Sequence, residues 1–93
     1  MSELKVSLVA ADRTVWEGTA SKVIVRSIEG DMGILPGHTP VLGVLVSGDV
    51  RIESGGKQHK ATIDSGFLSV DHNSVTIVAD RVDADDMVEA VGR

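Results

Sequence analysis

Apolar and polar residues alternate in short runs along most of the chain. Leu4, Val6 and Leu8 alternate with polar neighbours, and this pattern predicts a half-buried strand over residues 4–10. The same pattern predicts further strands at 14–17, 20–28, 41–46, 50–53, 57–63, 67–70 and 74–79. Glycine, aspartate and serine separate most of these runs, and short strands divided by turn residues are typical of an all-β sandwich or barrel.

Two of the predicted strands depart from simple alternation. Residues 20–28 carry apolar side chains on both faces, which favours a strand inside a sandwich over a strand that exposes a binding face. Residues 41–46 form an unbroken apolar run and are expected to be buried. Gly55 and Gly56 separate two other strands, as a two-residue hairpin turn requires.

The segment 29–40 is the richest in turn residues. It contains three of the ten glycines and both prolines. Its glycines can adopt left-handed backbone at no steric cost, and its prolines push the preceding residues towards extended backbone. We therefore expect tight turns around a short extended piece at 32–35, with Asp31 and His38 presented on them. Spacing alone does not decide between a corner of the sandwich and a contact edge.

Residues 83–93 have a different character from the rest of the chain. Asp83 is a helix-capping residue type. Apolar residues then recur at helical spacing at Ala84, Met87, Val88 and Val91. The prediction is a β-sandwich domain over 1–82, followed over 83–93 by the start of a helical segment that is marginal in water by itself.

Composition narrows the class of protein and of partner. The chain has 93 residues, of which 42% are hydrophobic, but it contains one Trp and one Phe, so its core is expected to consist of Val, Ile, Leu and Ala. The net charge of −5 argues against nucleic acid as a partner. There is no cysteine and no apolar run of the ~20 residues that a membrane span needs, so any membrane association is expected to come through a partner.

We find no pattern typical of catalysis or of a cofactor site. His38, His59 and His72 are far apart in the sequence and lack neighbouring ligand pairs, so surface or half-buried histidines are favoured over a metal site. Ser54-Gly55-Gly56-Lys57 lacks the spacing of a phosphate-binding loop, and no Gly-x-Ser-x-Gly elbow is present. A non-catalytic protein without cofactor or metal is therefore expected.

The sequence resembles a known family in several segments that follow in the same order. They are EGDMGILPGHTPVLGVL (29–45), LKVSLVAADRTVWEG (4–18), SGDVRIES (47–54), DSGFLSV (64–70) and VTIVAD (75–80). These segments resemble the N-terminal β-sandwich domain of the ε subunit of the rotary F-type ATP synthase. The resemblance extends over residues 3–86, and the glycine, proline and histidine spacing in 29–40 is its most specific part.

The resemblance implies a fold and a function. The expected fold is a flattened antiparallel sandwich of about ten short strands. The expected function is that of a rotor subunit in the central stalk, which links the γ shaft to the polar loops of the membrane c-ring and helps couple proton transport to ATP synthesis. The expected place is peripheral, at the cytoplasmic face of the bacterial plasma membrane, with the stromal face of the plastid thylakoid as the alternative.

The resemblance also implies contact residues. The edge that faces the c-ring and the lower γ shaft would consist of Gly30, Asp31, Gly33, Pro36, Gly37 and His38. A second, γ-facing patch would include Ala10, Leu42 and Val78. Family members commonly continue as two helices that can inhibit ATP hydrolysis and, in some members, bind ATP. The chain ends at Arg93, so neither property is expected of it.

Two other classes of function stay open at this point. One is a β-sandwich adaptor or ligand-binding module that is unrelated to the synthase. The other is a small hydrolase, which would require a Ser or His whose replacement abolishes activity. Capture of γ and the c-ring from membranes would distinguish the first reading from both alternatives.

Overall fold

The computed structural model describes residues 3–83, and these residues form ten β-strands. In chain order the strands are β1 (Leu4–Ala10), β2 (Arg13–Ala20), β3 (Lys22–Ser27), β4 (Gly30–Ile34), β5 (Val41–Leu45), β6 (Gly48–Ser54), β7 (Lys57–Ile63), β8 (Gly66–Asp71), β9 (Ser74–Ala79) and β10 (Val82–Asp83). The prediction of an all-β fold of short strands is confirmed.

The strands form one sheet that folds over into a flattened, barrel-like sandwich. The order is β10-β7-β6-β3-β5-β8-β9-β1-β2, and β4 pairs with β3 beside this path. β3 pairs with β6 at residues 22–24 and with β5 at Ser27, so this strand belongs to both halves of the sandwich. The pairs are antiparallel except that of β1 with β9, which is parallel. The expected antiparallel sandwich therefore contains one parallel pair, which could not be predicted because local alternation carries no information about which distant strands become neighbours.

Inward-facing residues from nearly every strand build the core. Alternate positions of β1 are buried, and the same period recurs in β6, β8 and β9. The largest fully buried side chains are those of Leu4, Leu8, Ile34, Leu45, Ile52, Leu68 and Ile77. Burial of such a side chain contributes about 1.5–3 kcal/mol, so this aliphatic interior accounts for the stability of a fold that has a single buried aromatic residue.

β2 is longer than the predicted strand at 14–17 because Gly18 continues it. A Cβ atom at Gly18 would lie 2.9 Å from Cη2 of Trp16, so the missing side chain leaves room for the indole ring. The register of β2 on β1 shifts at Val15, which makes Val15 the extra residue of a β-bulge. Because of this bulge, Val15 and Trp16 are both buried although they are adjacent in the sequence.

The expectation that 41–46 is buried throughout is wrong. Leu45 is buried, but the side chains of Leu42 and Val44 are 82% and 46% exposed. β5 has one inner and one outer face like its neighbours, and Gly43 occupies the inner face between them, near the side chain of Leu68. A continuous apolar run therefore does not by itself identify a strand that is covered on both faces.

The predicted turn and the predicted tail have different outcomes. Gly55 and Gly56 have φ angles of 58° and 81° and connect β6 to β7, so the hairpin turn is confirmed. Asp83 is not isolated from the sandwich, because it pairs with Thr62 as the last residue of β10. The rest of the predicted helix, residues 84–93, lies outside the described part of the chain.

Candidate interaction surface

The hairpin of β3 and β4 carries the first half of the segment singled out in the sequence. Ser27 is buried, its Oγ donates a hydrogen bond to the carbonyl oxygen of Gly30 (2.8 Å), and it accepts one from the amide of Glu29 (3.1 Å). Gly30 has a φ of 117°, which favours glycine where the turn enters β4. Asp31 follows on the surface and forms an ion pair with Arg26 at 3.3 Å.

The second half of the segment 29–40 contains a tight turn at residues 35–38. The amide of His38 donates to the carbonyl oxygen of Leu35 (3.0 Å), Pro36 occupies the second position, and Gly37 has a φ of 87°. This combination is that of a type II turn. The amide of Gly37 donates to Oδ1 of Asn73 in the β8–β9 turn at 2.7 Å. His38 is half-buried, and its Nδ1 lies 2.6 Å from the carbonyl oxygen of Thr39.

The structure does not bring Asp31 and His38 together. β4 runs from Gly30 to Ile34 between them, which separates the two ends by about 13 Å at ~3.3 Å per residue. Gly33 is exposed in the middle of this strand. The predicted contact residues therefore lie along one strip, formed by β4 and the turn that follows, and not in a single cluster.

A set of exposed apolar side chains covers the outer surface of β5, β8 and β9. We call it the apolar face, and it consists of Ile28, Leu42, Val44, Phe67 and Val78. Val44 pairs with Phe67, and Phe67 pairs with Val78, so these three lie side by side across the strands. The amide of Ile28 donates to the carbonyl oxygen of Val44 at 3.1 Å, which extends the row. From Val78 to Ile28 the row spans about 14 Å, which is three spacings of ~4.8 Å between neighbouring strands.

The other half of the sandwich has a charged outer surface. On β6, Arg51 and Asp49 approach within 4.0 Å, and Asp49 accepts a hydrogen bond from the hydroxyl of Thr62 at 3.2 Å. The Arg26–Asp31 pair continues this surface onto β3 and β4. The two halves of the fold therefore present different chemistry, apolar on β5, β8 and β9 and charged on the half that contains β6 and β7.

Comparison with known proteins identifies the family. Residues 3–84 match the β-sandwich domain of the ATP synthase delta/epsilon chain. The chain belongs to this family. It is 44% identical over 78 residues to the ATP synthase epsilon chain of Frankia casuarinae, which covers 83% of this chain and 92% of the relative. It is also 44% identical over 90 residues to the epsilon chain of Streptomyces avermitilis, which covers 96% of this chain and 73% of the relative.

Solved structures of ATP synthases contain the same fold. A chain of the Euglena gracilis mitochondrial ATP synthase (OSCP/F1/c-ring) superimposes with a TM-score of 0.85 at 25% identity over 90% of this chain, which spans about half (54%) of the Euglena chain. A chain of the Tetrahymena thermophila central stalk/c-ring superimposes with a TM-score of 0.75 at 16% identity, over 96% of this chain and 72% of the other. The second likeness shows the fold alone.

Within residues 3–83, no three His, Cys, Asp or Glu side chains are grouped closely enough to hold a metal ion. The same residues contain no helix that could cross a membrane. A hollow of about 700 Å³ opens near Ala10, Asp64 and Arg81. The chain is therefore a subunit of an F-type ATP synthase.

Of the three residues predicted for the γ-facing patch, two are exposed and one is buried. Leu42 and Val78 are exposed, and both lie on the apolar face. Ala10 is 4% exposed and packs in the core at the end of β1, so it does not contribute to that face. Sequence reasoning missed Val44 and Phe67. The sequence carries no local signal for them, because alternation alone does not show which of Phe67 and Leu68 faces inward.

Proposed function

We propose that this chain is the non-catalytic rotor subunit that joins the γ shaft to the c-ring and helps couple proton transport to ATP synthesis. The observation that carries the proposal is the apolar face, a contiguous exposed surface on an otherwise charged domain. A soluble domain that exposes a contiguous apolar patch usually uses it to bind a partner. The strip along β4 and the turn 35–38 supplies a second, more polar surface.

We assign the apolar face to γ. A joint in a rotor must not slip, which requires a stable interface of about 1,200 Å² or more in total. Such interfaces concentrate their binding energy in a few central residues, and aromatic side chains are over-represented among them. Phe67 lies between Val44 and Val78 and is therefore the best candidate for the central anchor.

We assign the strip along β4 to the c-ring loops and the lower part of γ. Its proposed contact residues are Gly30, Asp31, Gly33, Pro36, Gly37 and His38. Polar loops of a ring require hydrogen-bonding groups and charge complementarity more than apolar area. Asp31 and His38, at the two ends of the strip, provide such groups, and the exposed backbone at Gly33 allows close approach between them.

In this proposal the mechanism is mechanical. The apolar face and the strip belong to one hydrogen-bonded sheet, so torque applied at one surface passes through strand ladders to the other without a chemical step in this chain. The chain would associate with the membrane through γ and the c-ring, at the cytoplasmic face of a bacterial plasma membrane.

Co-purification of the full chain with γ tests the assignment. Leu42→Asp and Val78→Asp are expected to fold, because both positions are exposed, but to lose γ. Thr76→Asp is the matched control, since Thr76 is exposed on the same surface but lies outside the apolar face, and it is expected to retain γ. Ala10→Asp is expected to unfold the chain, because it buries an unpaired carboxylate.

Circular dichroism separates loss of folding from loss of binding in each variant. If Leu42→Asp, Val44→Asp, Phe67→Asp and Val78→Asp all fold and all retain γ, the apolar face is not the γ surface and the proposal fails in this part. Capture of neither γ nor the c-ring by the unaltered chain would remove the rotor function altogether.

A further inference from the structure

Asn73 connects three parts of the chain that are distant in sequence. It is the second residue of the β8–β9 turn, and its carbonyl oxygen accepts a hydrogen bond from the amide of Lys5 at 2.8 Å. Its side-chain Oδ1 accepts one from the amide of Gly37 at 2.7 Å. The turn 35–38 is thereby tied to the side chain of Asn73, and β1 is tied to its backbone.

The conformation of Asn73 explains how a turn residue can make both contacts. His72 and Asn73 have φ angles of 49° and 63°, so the hairpin is of the two-residue type in which both central residues are left-handed. Asparagine tolerates this backbone better than most residues. Its side chain is half-buried and directed at Gly37, whereas the neighbouring His72 is directed into solvent and pairs with Asp71 at 2.7 Å.

The hydrogen bond between Gly37 and Asn73 is especially important for the position of the turn 35–38. Among the described residues, it is the hydrogen bond that links this turn to another part of the chain, since the bond from His38 to Leu35 closes the turn on itself. Pro36 cannot donate a backbone hydrogen bond. Without the side-chain oxygen of Asn73, the position of the turn would depend on its connections to β4 and β5.

We propose that Asn73 is a positioning residue, which holds the turn 35–38, and with it His38, in the place from which the turn contacts its partner. Its importance for binding rests on the proposed rotor function, but its action on the turn does not. Nothing in the sequence pattern marks Asn73, because its partner Gly37 is 36 residues away.

Asn73→Gly is a sharp test because it separates the side chain from the backbone. Glycine suits the second position of this hairpin turn at least as well as asparagine, so the turn and the bond to Lys5 are expected to persist. The acceptor for Gly37 is lost. In the full chain, the amide of Gly37 is expected to exchange with solvent at least about fivefold faster by NMR, with an unchanged or higher melting temperature.

Asn73→Asp is the matched control, since it retains an oxygen at the Oδ1 position and tolerates left-handed backbone. It is expected to keep the slow exchange of Gly37. In binding to a detergent-solubilised complex of γ with the c-ring, Asn73→Gly is expected to bind more weakly than Asn73→Asp.

The two readouts separate this inference from the proposed function. If Asn73→Gly leaves the exchange of Gly37 unchanged, or changes the exchange but leaves the affinity of the complex at the wild-type value, the positioning role is overturned. If the unaltered chain does not bind the complex, the proposed function fails, and exchange at Gly37 still decides whether Asn73 holds the turn.

Discussion

Among the glycines of the described strands, Gly66 is the one at which an added methyl group is expected to destabilise the fold most. It is the first residue of β8 and pairs with Ala79 on β9. A Cβ atom built at Gly66 would lie 2.1 Å from the carbonyl oxygen of Val78 and 3.0 Å from Cα of Ala79. Both neighbours are backbone atoms, so relief requires the two strands to move apart and not merely a change of rotamer.

The size of the effect follows from these distances. Carbon and oxygen ordinarily approach to about 3.3 Å, so β8 and β9 would have to separate by roughly 1.2 Å at this pair. Forced overpacking costs about 1–3 kcal/mol, and weakening the Gly66–Ala79 pairing adds about 1 kcal/mol. The total of about 2–4 kcal/mol is a large part of the ~5–15 kcal/mol that holds a typical domain folded.

Thermal unfolding followed by circular dichroism measures the effect. A domain of this size loses about 4–8 °C per kcal/mol, so Gly66→Ala is expected to melt at least about 8 °C lower than the wild type. Gly43→Ala, on the neighbouring strand, is the matched control. Its Cβ would lie 3.8 Å from Cδ2 of Leu68, which is an ordinary contact, so its melting temperature is expected to stay the same or rise slightly. Similar melting of both variants would refute the strand spacing described here.

Three further predictions concern the two contact surfaces and the core. Phe67 is 65% exposed, so roughly 130 Å² of its surface remains for a partner to cover. Phe67→Ala is expected to weaken γ binding about 100-fold in a titration, whereas the control Thr76→Ala is expected to leave γ binding unchanged. Asp31→Lys removes an exposed ion pair with Arg26, so it is expected to change the free energy of unfolding by less than ~1 kcal/mol. The same variant is expected to impair proton pumping in reconstituted membranes. A large loss of stability with normal pumping would contradict the assignment of Asp31 to the contact strip. Gly18→Ala is expected to destabilise the fold by about 1–3 kcal/mol and to shift the fluorescence of Trp16, whose ring it contacts.

The fold could be predicted largely because strand alternation and turn chemistry are local. The alternation of Leu4, Val6 and Leu8 and the Gly55-Gly56 turn depend on residues close in the chain, and both were confirmed. The burial of Ala10 follows from the same pattern, because Ala10 continues the alternation of Leu4, Val6 and Leu8 on the inner face of the strand predicted over 4–10. Its assignment to the γ-facing patch rested on the family resemblance and not on this alternation.

The candidate site shows the same division between local and distant information. Proline and glycine predict that 29–40 turns, but they do not show that β4 separates Asp31 from His38, because the length of a strand between two turns depends on its pairing with β3. To predict that Phe67 and Val44 are exposed, one would have to know the register of three strands. The role of Asn73 could not be predicted either, because its partner Gly37 is reached only across the folded structure.

The β3–β4 hairpin connects the two proposed contact surfaces. β3 continues into Ile28 on the apolar face, and β4 begins the strip with Gly30 and Asp31, so the Ser27 turn lies where the surfaces meet. Ser27 closes this turn with two hydrogen bonds from a buried position, which resists hinge motion there. Five residue pairs then join β4 to β3 along the whole length of β4. A load applied to the strip would therefore reach the apolar face through a ladder of hydrogen bonds and not through a flexible loop.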